Sequence, residues 1–449
     1  MLPVIVIVGR SNVGKSTLFN RLTRSRKALV GDIYGLTRDR NFGECVYGGI
    51  SYLLVDTGGF QLDSKDAMQN QMSRQTEEAI IEGDFVIFVV DGKSGLTPSD
   101  FSIAKHLRKS ERPIHLIVNK LEGKKRDFKH TEFFELGLGE PLPVSAEHGD
   151  GVREMIKKIL DSYKKSHNLE KDQNVSNSLP NNKEIKLAIV GKPNVGKSTL
   201  FNHLLGEDRA ITFDLPGTTR DPITTTFSWE KEKYLLVDTA GIRRRSTKVD
   251  LPEKFSVIKA MRAIGEANVV ILLIGGNEEV SDQDASIASF IATSGSALVV
   301  GVNKWDRIDH EKKKEIKQTI ERKLNFLSWA TFHYVSAIKG LGVSEIMRSV
   351  QKAYFASIKS LSTPKLTRVL THCVEKHPPP KKGLFRPKLR YAHQGGRNPP
   401  VIIIHGNNLK KISPDYKKYL ENTFREKFQL FGTPLKVEWK NSSNPYQKK

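Results

Sequence analysis

The strongest constraint in this sequence is a loop that occurs twice. GRSNVGKSTLFN begins at Gly9 and GKPNVGKSTLFN at Gly191, 182 residues later. Each copy follows a β-branched apolar run and precedes a helical segment, so each reads as strand, glycine-rich turn and helix. The likeness extends well beyond the loops. YLLVDTGG (Tyr52 to Gly59) returns as YLLVDTAG (Tyr234 to Gly241), and GLTRD ending at Asp39 returns as GTTRD ending at Asp221, both again shifted by 182. VNKLE ending at Glu122 returns as VNKWD ending at Asp306, shifted by 184, and PVSAEHGDG around Ser145 returns as YVSAIKGLG around Ser336, shifted by 191. Order is kept while spacing drifts. That is a duplicated domain with loop insertions, since a solenoid would repeat at a much shorter period.

The apolar runs VIVIV, YLLVD, FVIFVV and HLIVN, then KLAIV, YLLVD, VVILLI and ALVVGVN, are short and nearly continuous. Such runs are expected of parallel strands buried on both faces. The fold class expected is therefore α/β: two tandem P-loop domains, each a mostly parallel sheet flanked by helices, at residues 1–163 and 185–356. Residues 164–184, rich in Asn, Ser and Lys, read as a flexible linker. Beyond residue 356 the pattern changes. STPKLTRVLTHCVEKH reads as a capped helix stopping before Pro378, KLRYAHQ and VIIIHG as strands, PDYKKYLENTFREKFQLFG as a helix with proline in its first turn, and PLKVEWK as a last strand. That order, α-β-β-α-β, predicts a small α+β domain at 357–449 with both helices on one face of its sheet. Pro378 to Pro380 read as a partner-binding polyproline ligand or, more simply, as a stiffener of the helix-to-strand connection.

Charge separates this last domain from the rest. From Lys352 onward the chain carries 16 Lys and 5 Arg against 4 Glu and 1 Asp, a net of +16 out of +22 for the whole. A basic domain with interleaved aromatic residues, on a nearly neutral body, implies a polyanionic partner. No apolar run approaches the roughly 18 residues of a membrane span. The opening LPVIVIVGR runs straight into a buried strand without a charged leader, so no export signal is expected and a cytoplasmic setting is. Cys45 and Cys373 match no metal-ligand spacing and read as reduced structural thiols.

The loops Gly9, Arg10, Ser11, Asn12, Val13, Gly14, Lys15, Ser16 and Gly191, Lys192, Pro193, Asn194, Val195, Gly196, Lys197, Ser198 satisfy GxxxxGKS. Their backbone N–H groups and the helix N-terminus would cradle phosphates. Lys15 and Lys197 would reach the β- and γ-phosphates, and Ser16 and Ser198 would place a hydroxyl on Mg2+. Asp56 and Asp238 would hold that metal through its water shell, with Thr37 and Thr219 completing it from a switch loop. Gly59 and Gly241 offer an N–H to the γ-phosphate, within the stretches Asp56-Thr57-Gly58-Gly59-Phe60 and Asp238-Thr239-Ala240-Gly241-Ile242.

Asn303-Lys304-Trp305-Asp306 is the pattern that selects guanine, because its carboxylate accepts from the N1–H and 2-amino group that adenine does not present. In the first copy Asn119-Lys120-Leu121 ends in Glu122, one methylene longer, whose oxygens reach differently. Ser145-Ala146 and Ser336-Ala337 would back the base. Where GTPases of the Ras kind place a water-orienting glutamine, this chain has Phe60 and Ile242, which can neither donate nor accept. Hydrolysis is expected to be slow unless another charge assists.

With these residues in place, the chain resembles, essentially end to end, the Der (EngA, double-Era) family of bacterial ribosome-assembly GTPases. The resemblance is carried by NVGKSTLFN twice, DTGG then DTAG, GLTPSD at Gly95 to Asp100, and SPDYKKYLENTFREKFQLFGTPLKVEWK in the tail. It implies GTP and GDP in both G domains, Mg2+, slow hydrolysis, a C-terminal KH-like fold, and association with the large ribosomal subunit and its rRNA during maturation. A monomer is expected, with no DNA partner. The resemblance further implies a potassium ion beside the phosphates, held partly by Asn12 and Asn194. Such a cation can offset developing negative charge.

Three features depart from the family pattern: Glu122 itself, Tyr34 where the second copy has Pro216, and Gly275 opposite Asp91. The C-terminal domain also lacks the GxxG loop of an ordinary KH module. A second reading therefore stays open, an RNA-binding scaffold whose first G domain is a degenerate nucleotide sensor. A tRNA-modifying GTPase would share the Asn-type loop but is expected to have one G domain and a C-terminal cysteine, where this chain reads NPYQKK.

Overall fold

The computed structural model describes residues 2–23, 29–31, 41–57, 76–122, 131–166, 184–206, 225–237, 257–380, 386–409 and 412–441. Its contacts define two compact units, Met1–Asn182 with Ser256–Gly265, and Lys183–Phe255 with Glu266–Lys449. Nearly all of the interval read as a linker lies outside the described residues.

In the first unit, β1 (Val4–Val8), β2 (Leu29–Gly31), β3 (Asn41–Tyr47), β4 (Ile50–Asp56), β5 (Phe85–Asp91), β6 (Ile114–Asn119) and β7 (Leu142–Pro143) form one sheet in the order β2-β3-β4-β1-β5-β6-β7. β1 lies parallel to both β4 and β5, and every residue of β1 and β5 is buried. Unbroken apolar runs form the central strands because both their faces are covered. β3 is antiparallel to β4 and to β2, so the sheet has an antiparallel edge that the apolar runs alone did not announce. The helices α1 (Lys15–Thr23), α2 (Pro98–Arg108) and α3 (Val152–Ser166) flank it. Leu18 and Phe19 of α1 and Met155, Ile156 and Ile159 of α3 share a core with Ile5, Ile7, Ile87 and Ile117 of the strands.

The second unit repeats this plan. β8 (Glu184–Val190), α4 (Lys197–Gly206), β9 (Thr225–Trp229) and β10 (Glu232–Leu236) precede α5 (Val257–Glu266), which is divided between the units. Then come β11 (Val269–Gly275), α6 (Asp282–Ser294), β12 (Ala297–Asn303), α7 (His310–Lys323), β13 (Thr331–Tyr334) and α8 (Val343–Ile358). The sheet order is β13-β12-β11-β8-β10-β9, parallel except for the β9–β10 hairpin. Its burial alternates along TTFSW, the period-two signature of a half-covered edge strand.

The C-terminal part belongs to the same unit. It consists of α9 (Thr363–Lys376), β14 (Lys388–Gly396), β15 (Val401–Asn407), α10 (Pro414–Phe428) and β16 (Lys436–Asn441), in the expected α-β-β-α-β order. Leu366 and Leu370 of α9 and Leu420 and Phe424 of α10 pack with Ala392, Ile402 and Ile404 of the strands, so both helices cover one face. Ser413 caps α10 by accepting from the Tyr416 N–H at 3.4 Å, whereas Ser362 makes no side-chain cap bond to α9. Main-chain bonds join this part to the G-domain sheet: Leu298 N–H donates to Gly432 O and Gly432 N–H to Trp329 O, both at 2.8 Å. Gly432 has φ +70, and a Cβ there would press on Ala353 at 2.6 Å, so glycine is required. Cys45 and Cys373 are both buried free thiols.

Candidate nucleotide sites

In the first copy, the C-terminal ends of β1, β4, β6 and β7 bring four predicted segments together, at the edge of a parallel sheet where ligands bind in such folds. Gly14 turns with φ +94 into α1, and a Cβ there would run into the Asn119 amide. Asn12 lies in the left-handed region at φ 66, a conformation asparagine tolerates better than most residues. Lys15 is 5 % exposed, and its ammonium donates to Arg10 O at 2.8 Å, which curls the loop over the lysine. Burial pulls the Lys15 pKa down to about 8, against the neighbouring Asp56 charge that raises it. Ser16 Oγ donates to Asp56 Oδ2 at 2.9 Å. A hydroxyl and a carboxylate side by side are the hard oxygen donors that suit Mg2+, so these residues fit the implied metal.

Asn119 acts as a strut. Its Nδ2 donates to Val13 O at 2.8 Å, and its Oδ1 accepts from Ala146 N–H at 2.9 Å. Thus Val13 and Ala146, both with buried side chains, join the site through their backbones. Thr57 is buried, with its hydroxyl donating to Ile7 O at 2.8 Å, and Leu121 is buried beneath the loop. Lys120 stands at φ 68, and its ammonium donates to Asn12 O and to Asp91 Oδ2, each at 2.7 Å. Burial would raise the Asp91 carboxyl, but the Lys120 ammonium and the N–H groups of Lys93 and Ser94 outweigh it and hold the group below its ordinary range. Ser145 N–H donates to Asp150 O at 3.0 Å, closing the turn that carries Ala146.

The second copy reproduces the frame. Gly196 has φ +101, Asn194 φ 62 and Lys304 φ 63. Lys197 Nζ donates to Lys192 O at 2.6 Å. Asn303 Nδ2 reaches Val195 O at 2.8 Å and Asn303 Oδ1 accepts from Ala337 N–H at 2.9 Å. Ser336 N–H donates to Leu341 O at 3.0 Å, matching the turn at Ser145. Gly191, Pro193 and Ser198 hold the places of Gly9, Ser11 and Ser16. Thr37, Gly58, Gly59, Phe60, Thr219, Asp238, Thr239, Ala240, Gly241 and Ile242 lie outside the described residues, as do Tyr34 and Pro216.

The copies diverge where a base would be read. Asp306 has a side chain 10 % exposed, 3.1 Å from Lys339 Nζ; the Ser336 hydroxyl and Lys339 hold its carboxyl below the ordinary range. Glu122 is 43 % exposed, its Oε1 3.1 Å from Lys93 Nζ and 3.7 Å from His148 Nε2. Each carboxylate faces the residue three after the serine of its Ser-Ala turn, His148 or Lys339, and Glu122 differs in being more exposed and in meeting Lys93 as well. Trp305 replaces Leu121 and packs on Tyr334 with ring centroids 4.3 Å apart.

Sequence reading missed a second pair of equivalent carboxylates. Asp100 and Asp284 are fully buried at the starts of α2 and α6, accepting from the backbone N–H of Thr97 and of Ser281, each at 3.0 Å. Each also neutralises the second residue of its phosphate loop, Arg10 at 3.4 Å and Lys192 at 2.9 Å. The available signal was their separation of 184, the same as between the two base-reading motifs.

Comparison with known proteins follows this geometry. A family model described as 50S ribosome-binding GTPase matches residues 4–120 and again 186–304. Another, described as KH-domain-like of EngA bacterial GTPase enzymes, C-terminal, matches 360–440. Proteins named GTPase Der from Burkholderia vietnamiensis and Burkholderia multivorans are 55 % and 54 % identical over 449 residues, covering all of both chains. Among solved structures, Era of Aquifex aeolicus bound to GDP and AlF4- aligns with 99 % of this chain and 94 % of its own at 16 % identity, TM-score 0.32. Era in complex with MgGDPNP and a segment of 16S ribosomal RNA aligns with 59 % of this chain and 95 % of its own at 23 % identity, TM-score 0.29. Structural likenesses this weak add nothing to the assignment.

Proposed function

The chain belongs to the GTPase Der family, and on that premise we propose that it acts in maturation of the large ribosomal subunit, its nucleotide state switching its association with the particle. It is a GTP hydrolase. The observation that carries the reading is the doubled frame in which Asn119 and Asn303 tie a phosphate loop to a base-reading loop, on a chain whose C-terminal part is strongly basic.

In this reading Lys15 and Lys197 contact the β- and γ-phosphates, with the N–H groups of Gly9 to Ser16 and Gly191 to Ser198 around them. Lys15 enters with its charge poorly solvated, so a phosphate is a better partner for it than the carbonyl it now holds. Ser16 with Asp56, and Ser198 with Asp238, would hold Mg2+, which would supply charge neutralisation for the phosphates. Thr37 and Thr219 would complete the metal shell, Gly59 and Gly241 would offer an N–H to the γ-phosphate, and Asn12 and Asn194 would hold K+ where a water-orienting glutamine is lacking. Glu122 and Asp306 read guanine, the second with stricter selectivity because it is better enclosed. Large-subunit rRNA, a cytoplasmic setting and a monomeric state complete the proposal. No helix among the described residues is long and apolar enough to cross a membrane.

One observation favours the second reading. Glu122 faces Lys93 and His148 while Asp306 stays enclosed, as a first domain retained as a nucleotide sensor would allow. Co-sedimentation with ribosomal particles in GTP, GDP or a non-hydrolysable analogue, at low and raised salt, tests the switch. Binding that ignores nucleotide at every salt concentration would sink it.

A further inference from the structure

We infer that the open face of the C-terminal sheet is a stacking platform for an unpaired RNA base, with Tyr391 as the ring that receives it. This rests on reading the chain as an RNA-associated factor, and it names the surface.

The strand register sorts the side chains. Ala392, Ile404 and Trp439 lie in one row across the sheet, and Ile402 and Val437 in the next, all packed in the core under the helices. The intervening rows point the other way. One runs Tyr391, His405, Lys440, and the next His393, Ile403, Glu438. On this face three rings form a group. Tyr391 and His405 have centroids 4.4 Å apart with planes at 4°, and His393 lies 5.0 Å from His405 at 28°. Tyr391 and His393 are themselves 6.1 Å apart, so the rings make a compact triangle, and Tyr391, on the edge strand β14 and 43 % exposed, is its open member.

Two further observations identify the occupant. His393 Nδ1 and His405 Nε2 are withdrawn from solvent without a hydrogen-bond partner among the described residues, so ring contact rather than hydrogen bonding holds the cluster. Around it Lys388, Arg390, Lys436 and Lys440 are exposed, and Glu438 is the sole acid on the three strands. Stacked rings beside fixed positive charge match an unstacked base with its phosphates. An acidic protein surface would use the lysines and leave the rings without a role, and duplex RNA keeps its bases stacked on one another. The domain has no GxxG clamp, so the usual KH contact is not the one proposed here. Recognition by stacking tolerates any base.

The test uses the full chain and a single-stranded oligouridylate of about ten nucleotides carrying one 2-aminopurine, within the usual footprint of such surfaces. Binding should quench the probe, with Tyr391→Phe behaving as the native protein. Tyr391→Leu should bind roughly tenfold more weakly and lose the quench, which is the scale of one lost stacking contact. Lys440→Gln should lower the salt dependence by about one phosphate contact, and Tyr391→Leu should leave it unchanged. Absence of quenching with the native protein overturns the inference, and so does undiminished binding by Tyr391→Leu or preferential binding of duplex RNA. Co-sedimentation of the native chain with ribosomal particles separates the two levels. Particle binding without quenching sinks the platform alone, and loss of both sinks the ribosomal reading.

Discussion

Asp91 Oδ2 and Lys120 Nζ stand 2.7 Å apart in the first nucleotide site, and the second site has Gly275 where Asp91 would be. Asp91 therefore fixes a lysine that is already held at positive φ and bonded to the phosphate loop, while Lys304 has no such anchor at that position. Asp91→Ala should weaken guanine-nucleotide binding at the first site about fivefold, or about 1 kcal/mol for a partly exposed pair. The second site should be unaffected. Calorimetric titration in a Lys197→Ala background isolates the first site, and unchanged affinity there would contradict the role.

Glu122→Asp shortens the side chain and withdraws it from Lys93. The preference of the first site for GTP over ATP should rise by about tenfold, since a buried acceptor left unpaired by adenine costs more than an exposed one. Competition binding with both nucleotides, again without a functional second loop, reads the ratio. A ratio that stays put would show that enclosure by other residues sets selectivity.

Asn119→Ala and Asn303→Ala each remove a strut between two loops. The second strands Val195 O and the Ala337 N–H, and the loss of stability should be about 2–4 kcal/mol in that half of the chain. Thermal unfolding without nucleotide should show it. Were nucleotide binding lost with an unchanged melting curve, these asparagines would be ligand contacts and not struts.

Lys15→Ala and Lys197→Ala should each abolish turnover at one site and leave residual GTPase activity from the other. Loss of all turnover with Lys197→Ala and none with Lys15→Ala would establish the sensor reading of the first domain. Potassium should accelerate hydrolysis over sodium, and combined Asn12→Ala and Asn194→Ala should remove the difference. Equal rates in the two salts for the native protein would eliminate that role.

The frame of the loops proposed to hold phosphate and base was legible in the sequence because its geometry needs particular letters. Gly14 and Gly196 turn where a side chain would strike an asparagine, and Asn119 and Asn303 carry two bonds that few other residues could make. The central strands were legible because burial on both faces admits little but apolar residues. The antiparallel edges β2–β3 and β9–β10 were harder, since pairing direction follows from connection geometry and not from side-chain type. Lys93, Lys339, Asp100 and Asp284 escaped because their partners come from other loops, and a lone charge in a sequence does not say what it will face. The bonds of Leu298 and Gly432 involve only backbone atoms, so nothing in their letters reports the attachment.

That attachment has a mechanical consequence. β12 is anchored to Gly432 at Leu298 and ends at Asn303, so one strand spans the joint to the basic domain and the strut beside the base, about 17 Å apart in extended chain. Strands paired on both sides are stiff against bending. β12 is therefore a single span with the basic domain tied to one end and the proposed second base-reading loop leaving the other.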